Sequence, residues 1–267
     1  ELISLDISDS YSIDDFSKGY PPPPDPIRKF MLAGYWVPRD GNWNPDFPTS
    51  AQITQGLYEL STGHATQGVI AFDQDALISL IRLVAPIGMP EFSEPLTSTN
   101  IEILMHQARA PSSSEVSGEN WLAHRKDFMV PIGETILTSL MQINDRQTLF
   151  QLGTEILKAV KTGHILLYFN QPEAQWALTR AGLDNSLKSN DHDFLLLVDS
   201  NIGFNKADAV VERSLTYLVD LSTPEVIPAM LIVRYTHTLQ DEISCVFDPD
   251  PGNFQYSDTQ KRCYLDY

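Results

Sequence analysis

Apolar and polar positions follow two different periods along this chain, and the places where the period changes mark its elements. Leu2 to Ile7 alternates as a strand. Tyr20 to Pro26, with four consecutive prolines, predicts an extended polyproline-like loop, because each ring fixes φ near that conformation. Phe30 to Trp36 leads into Val37-Pro38-Arg39-Asp40. Thr49 or Ser50 is the expected cap of a helix reaching about Leu60, which Gly63 ends. Gln67 to Phe72, containing Val69 and Ile70, reads as a short buried strand. Asp73 caps the next helix, where Leu77, Leu80, Ile81 and Val84 share a face, and Pro86 and Gly88 stop it.

A further capped helix follows Thr97-Ser98 and runs to about Ala108, before a polar, Ser-rich loop from Pro111 to Glu119. Two long amphipathic helices come next. Phe128, Ile132, Ile136 and Leu140 repeat every four residues in the first, and Leu149, Leu152, Ile156 and Val160 do so in the second, with Asn144-Asp145 as the cap between them. The pattern then changes. His164 to Phe169 reads as a strand, Pro172 opens a helix ending near Gly182, and Asp193 to Val198 is an apolar strand. Val210 to Leu221 and Val226 to Thr238 alternate strongly enough for paired antiparallel strands. The fold class is therefore α/β: an α/β domain over residues 1–162, then a β-rich α+β extension over residues 163–267. No repeat of fixed period is present.

Size permits this division, since 267 residues can bury one large core or two modest ones. A formal charge of −17, with only 18 Lys and Arg and no basic run, excludes a phosphate-backbone partner, so no nucleic-acid role is expected. No apolar run approaches the roughly 20 residues that cross a bilayer. The chain opens on strand-like Glu1-Leu2-Ile3-Ser4 without an initiator Met and closes mid-pattern on Cys263-Tyr264-Leu265-Asp266-Tyr267. It reads as a piece of a longer polypeptide.

Its two cysteines, Cys245 and Cys263, lie 18 positions apart around the turn-forming Asp248-Pro249-Asp250-Pro251-Gly252-Asn253. Two readings are open. As a disulfide the pair closes a loop worth about 3 kcal/mol on the chain-entropy model and places the chain in an oxidising, extracytoplasmic compartment. As two buried thiols it says nothing of location. The six histidines are scattered, none in a His-Glu-x-x-His context, and Asp191-His192-Asp193 reads most simply as a turn, so no metal site is expected. Neither a Gly-rich phosphate loop nor a Gly-x-Ser-x-Gly elbow occurs.

What chemistry remains is cationic. Val37-Pro38-Arg39-Asp40 joins a fixed-φ proline, a bidentate cation and a carboxylate, and Asn42-Trp43-Asn44-Pro45-Asp46-Phe47-Pro48 follows, ahead of a helix. An arginine beside a helix N-terminus can cradle a phosphate or carboxylate. Equally, Arg39 and Asp40 can simply pair within a turn. Arg109 ends the helix after Thr97, and Arg125 sits in the first turns of the helix beginning near Trp121. Each of the three is either part of a shared anion clamp or a solvated charge. Trp43 either stacks on a sugar ring or anchors the loop by burial.

From Leu5 to Tyr267 the chain resembles the bacterial domain-of-unknown-function family numbered 4012. The carrying residues are Arg39 to Ala51, then Gly68-Val69-Ile70-Ala71-Phe72-Asp73, Leu96-Thr97-x-x-Asn100, Asn201 with Lys206, and Cys263-Tyr264-x-Asp266-Tyr267. This resemblance implies a membrane-anchored bacterial envelope protein whose domain faces outward, and brings no established activity. Over roughly Val37 to Leu140 the order of elements is also similar to the LytR-CpsA-Psr family of glycopolymer transferases. Val37-Pro38-Arg39-Asp40 resembles their Ile-Pro-Arg-Asp loop, Arg109 their helix-ending arginine, and Arg125 with Phe128 their arginine- and glutamine-rich helix start.

That likeness implies a three-layer αβα domain, lacking its N-terminal part here, and a phosphotransferase moving a glycopolymer from a polyprenyl-pyrophosphate carrier to the cell wall. Arg39, Asp40, Arg109 and Arg125 would then be the catalytic clamp, with magnesium as cofactor, and Trp43, Asn44 and Asp46 the binding residues beside it. This chain departs from the pattern in several places. The magnesium carboxylates of those enzymes precede the Pro-Arg-Asp loop on segments ahead of Glu1. A second arginine beside the Arg109 position is replaced in Ala108-Arg109-Ala110-Pro111, and Lys126-Asp127 stand for a glutamine pair. The weakened set favours a non-catalytic extracytoplasmic interaction module without cofactor, with a protein or an envelope glycan as partner and the membrane reached through a segment outside this chain.

Overall fold

The computed structural model describes residues 6–89, 92–101, 103–104, 129–188, 193–200, 208, 211–222 and 227–238. Helix and strand are mixed, as the two periods imply. Two compact units form, Glu1–Val198 and Asp199–Tyr267. The strand that follows Thr162, where the sequence pattern changes, pairs back into the first unit.

In the first unit, helix α1 (Asp25–Phe30) takes Asp25 and Pro26 out of the expected extended loop. Proline is tolerated in a first helical turn, where its missing N–H would have had no partner. A 3-10 helix (Pro38–Trp43) replaces the expected open loop around Arg39. Helix α2 (Phe47–Thr62) begins earlier than Thr49 or Ser50: Asp46 is its cap, accepting the Thr49 N–H at 3.1 Å, and Pro48 lies in the first turn. Gly63 ends it in the left-handed region (φ 76°), where only glycine is unstrained. Tyr20, Val37 and Leu57 are buried together between this helix and the Pro-rich segment, with Trp36 and Ile53 against them.

Strand β1 (Gly68–Phe72) pairs antiparallel with β2 (Ile165–Phe169), Gly68 opposite Phe169 and Phe72 opposite Ile165. A Cβ on Gly68 would overlap the Tyr168 carbonyl oxygen, so the strands approach this closely only with glycine there. Helix α3 (Gln74–Val84) follows β1, and α5 (Arg146–Thr162) precedes β2. Ala76, Ala159, Val160 and Ile165 bury one another where these elements meet, with Leu167 packed alongside. Residues alternate across a strand, so Tyr168 turns to the opposite side, where its hydroxyl accepts a 2.9 Å bond from Gln52 of α2.

Helix α4 (Met129–Met141) contributes Ile132 and Ile136 to the largest buried cluster, which holds Ile81, Ile87, Met89, Leu96, Ile101 and Leu104 as well. Ile101, Ile103 and Leu104 are helical, as expected after Thr97-Ser98; residues 105–128, with the Ser-rich loop, lie outside the described residues. Helix α6 (Pro172–Ala181) ends at Gly182. Two expected strands differ. Asp6 and Ile7 are irregular, with residues 1–5 outside the described set, and Asp193 to Val198 is irregular with Phe194, Leu195, Leu196 and Val198 exposed. Alternation alone does not make a strand: the backbone needs a neighbour to take its hydrogen bonds.

The second unit contains a hairpin of β3 (Val211–Val219) and β4 (Ala229–His237), paired from Val211–His237 to Val219–Ala229. Asp199 accepts the Tyr235 hydroxyl at 2.6 Å and forms an ion pair with Arg213. Cys245 and Cys263 lie outside the described residues. Among the described residues no helix is long and apolar enough to cross a membrane.

Candidate functional site

The loop that carries Arg39 is built around its own backbone. Val37 and Pro38 are buried, Val37 almost completely, and the 3-10 turn closes with Asp40 N–H to the Val37 carbonyl at 3.0 Å. The Trp36 indole donates to the Asp40 carbonyl at 2.9 Å, and the Trp36 amide to Pro21 at 2.9 Å. Gly41 lies against α2: a Cβ there would come within 3.0 Å of the Thr54 Cα and closer to its Oγ1. The loop is therefore seated against α2.

Arg39 does not pair with Asp40. Its guanidinium forms an ion pair with Asp14, whose side chain is only 2% exposed, while that of Arg39 is 26% exposed. Tyr11 covers the guanidinium at 4.5 Å from its ring centroid. Among the described residues no hydrogen-bond donor meets the Asp14 carboxylate, and the Arg39 guanidinium is the cation paired with it. Burial pushes the Asp40 carboxyl above the usual carboxylate range, against the nearby positive charge of Arg39.

The polar residues after Trp43 are also engaged within the chain. Asn44 Oδ1 accepts the Asp46 N–H at 2.9 Å, and its carbonyl accepts the Ser50 hydroxyl at 2.6 Å. Asp46 Oδ2 accepts both the amide and the hydroxyl of Thr49, and Oδ1 accepts the Leu187 N–H at 2.9 Å. Burial works against ionisation of Asp46, but the bonds from Thr49 and Leu187 outweigh it and hold the carboxyl below its usual range. Trp43 is half-buried. Arg109 and Arg125 lie outside the described residues, so the structure brings Arg39, Asp40, Trp43, Asn44 and Asp46 together on one loop and leaves the other two arginines unplaced.

A second polar cluster sits at the start of α3. Asp73 caps that helix through Oδ1, which accepts the Ala76 N–H at 3.0 Å, and its amide donates to the His164 carbonyl at 3.1 Å. Its Oδ2 lies 2.7 Å from His164 Nδ1, which is also 3.8 Å from Asp75 Oδ2. The hydrogen bond to Asp73, with the charges of Asp73 and Asp75, raises the His164 pKa despite opposing contributions from desolvation and Lys158. A cavity of about 230 Å³ opens beside the cluster, lined by Asp75, His164, Arg82, Glu155 and Lys158 among others. The sequence pattern reads Asp73 as a cap and His164 as the start of a strand. The Asp-x-Asp spacing at a strand end was the available signal for more.

Among comparisons with known proteins, residues 4–108 match the model of a family described as protein of unknown function (DUF4012). The resemblance to that family holds over this segment, which contains the Arg39 loop, β1, Asp73 and the Leu96-Thr97-x-x-Asn100 run. No curated protein and no solved structure matches the chain significantly.

Proposed function

We propose that this chain is an extracytoplasmic, non-catalytic interaction module of a membrane-anchored bacterial cell-envelope protein, binding a protein partner or an envelope glycan. The observation that carries this reading is the Asp14–Arg39 pair. A pyrophosphate clamp needs a cation free to meet its anion. Withdrawing Arg39 would strand a buried carboxylate, at about 3–5 kcal/mol, or roughly two to four orders of magnitude in affinity. Asn44 and Asp46 are likewise occupied by turn and cap. Exposed Phe16, Phe30, Leu32 and Tyr35 offer apolar area for a partner instead.

The placement of α3 and α5 against the Leu167 side of the β1–β2 pair, and of α2 toward Tyr168, supports an ancestry in a three-layer glycopolymer transferase. Thermal-shift titration with a short-chain polyprenyl pyrophosphate and magnesium is expected to leave the melting temperature unchanged at millimolar ligand. A shift that Arg39→Ala removes, in a variant still folded by circular dichroism, would restore the transferase reading. Protease accessibility on intact cells, with cleavage only after the envelope is opened to the cytoplasm, would refute the outward location.

A further inference from the structure

We propose that Asp73, Asp75 and His164 bind a divalent transition-metal ion at the junction of β1, β2 and α3. The ligand atoms come from two distant stretches of chain and lie within 4.8 Å of one another. One imidazole nitrogen and two carboxylate oxygens form a mixed donor set that suits Mn2+ or Zn2+ better than the all-oxygen shells of calcium. Asp73 and His164 are pre-oriented. Asp73 keeps Oδ1 on the Ala76 amide, which aims Oδ2 at His164, and the Asp73 amide holds the His164 carbonyl.

Charge at the ligand atoms favours the ion, although Arg82 and Lys158 across the cavity oppose it and only Glu155 offsets them there. The N-terminus of α3 carries about half a positive charge from its dipole, and two carboxylates exceed that several-fold. The chain as a whole, at −17, also attracts cations. Access is available as well, because His164 and Asp75 are 40% and 73% exposed in their side chains and both line the adjoining cavity. Remaining coordination positions would be filled by water or a small ligand from that cavity.

Mn2+ alone is the probe, because Cys245 and Cys263, if reduced, would compete for Zn2+. Titrated into isotopically labelled protein, it is expected to broaden the amide signals of residues 73–76 and 163–165 first and to bind with a stoichiometry of one. Asp75→Asn and His164→Gln should each weaken binding at least about tenfold, with melting curves in chelator confirming that both variants fold. If His164→Gln does not fold, Asp75→Asn decides alone, since Asp75 caps nothing. Absence of saturable broadening, or broadening centred elsewhere and unchanged in Asp75→Asn, overturns the proposal.

Discussion

Asp14 and Arg39 each depend on the other, and that dependence sets what substitution does at either position. Removing one partner of a buried pair leaves an uncompensated charge and costs about 3–5 kcal/mol. Arg39→Ala and Asp14→Ala should therefore each lower the urea midpoint strongly, while the apolar pair Asp14→Leu with Arg39→Met recovers most of the loss. If Arg39→Ala leaves stability unchanged, the pair is not structural. Asp46 gives a prediction in pH. Its folded carboxyl sits below the usual range, so its contribution is complete above the unfolded pKa and is lost as pH falls through the folded value. Asp46→Asn keeps a capping oxygen but does not titrate. Chemical melts of the variant from neutral to acidic pH should fall less steeply than those of the parent. At this scale the sequence showed that Arg39 lay in an unusual loop. It could not show the partner, because Asp14 has no local signature and reaches Arg39 only through folding.

Elements were more legible than contacts wherever a cap or a stop has a side-chain signature. Gly63, Gly163 and Gly182 end three helices in the left-handed region, and Asp73 and Asp145 cap α3 and α5 as their positions imply. Asp145→Ala should lower the melting temperature through the lost bond to Thr148. Proline misled twice, hiding the short α1 and moving the start of α2 to Phe47, because a ring that ends one conformation also fits a first turn. The Asp193 to Val198 stretch misled in the opposite sense, having the apolar composition of a strand but no ladder among the described residues. Gly41 was not legible at all, since what excludes a side chain there is Thr54 on a different element. Gly41→Ala should destabilise by about 1–3 kcal/mol through overpacking, and an unchanged urea midpoint would mean that the 3-10 helix moves freely off α2.

For the whole molecule, composition decided what patterning could not. A charge of −17 repels itself in the compact state, so added neutral salt should raise the melting temperature by screening; a fall would show that attractive pairs dominate. Pairing of β2 with β1 is a long-range event that no local period records. The same distance hid the cluster at the start of α3, since His164 meets Asp73 only once those strands are paired. The central claim is that Arg39 belongs to the fold and not to a pyrophosphate. Isothermal titration of the intact chain with a short-chain polyprenyl pyrophosphate, corrected for a magnesium-only blank, tests it most directly. No saturable heat at millimolar ligand is the predicted result, and saturable one-to-one binding that disappears in a folded Arg39→Ala variant would contradict it.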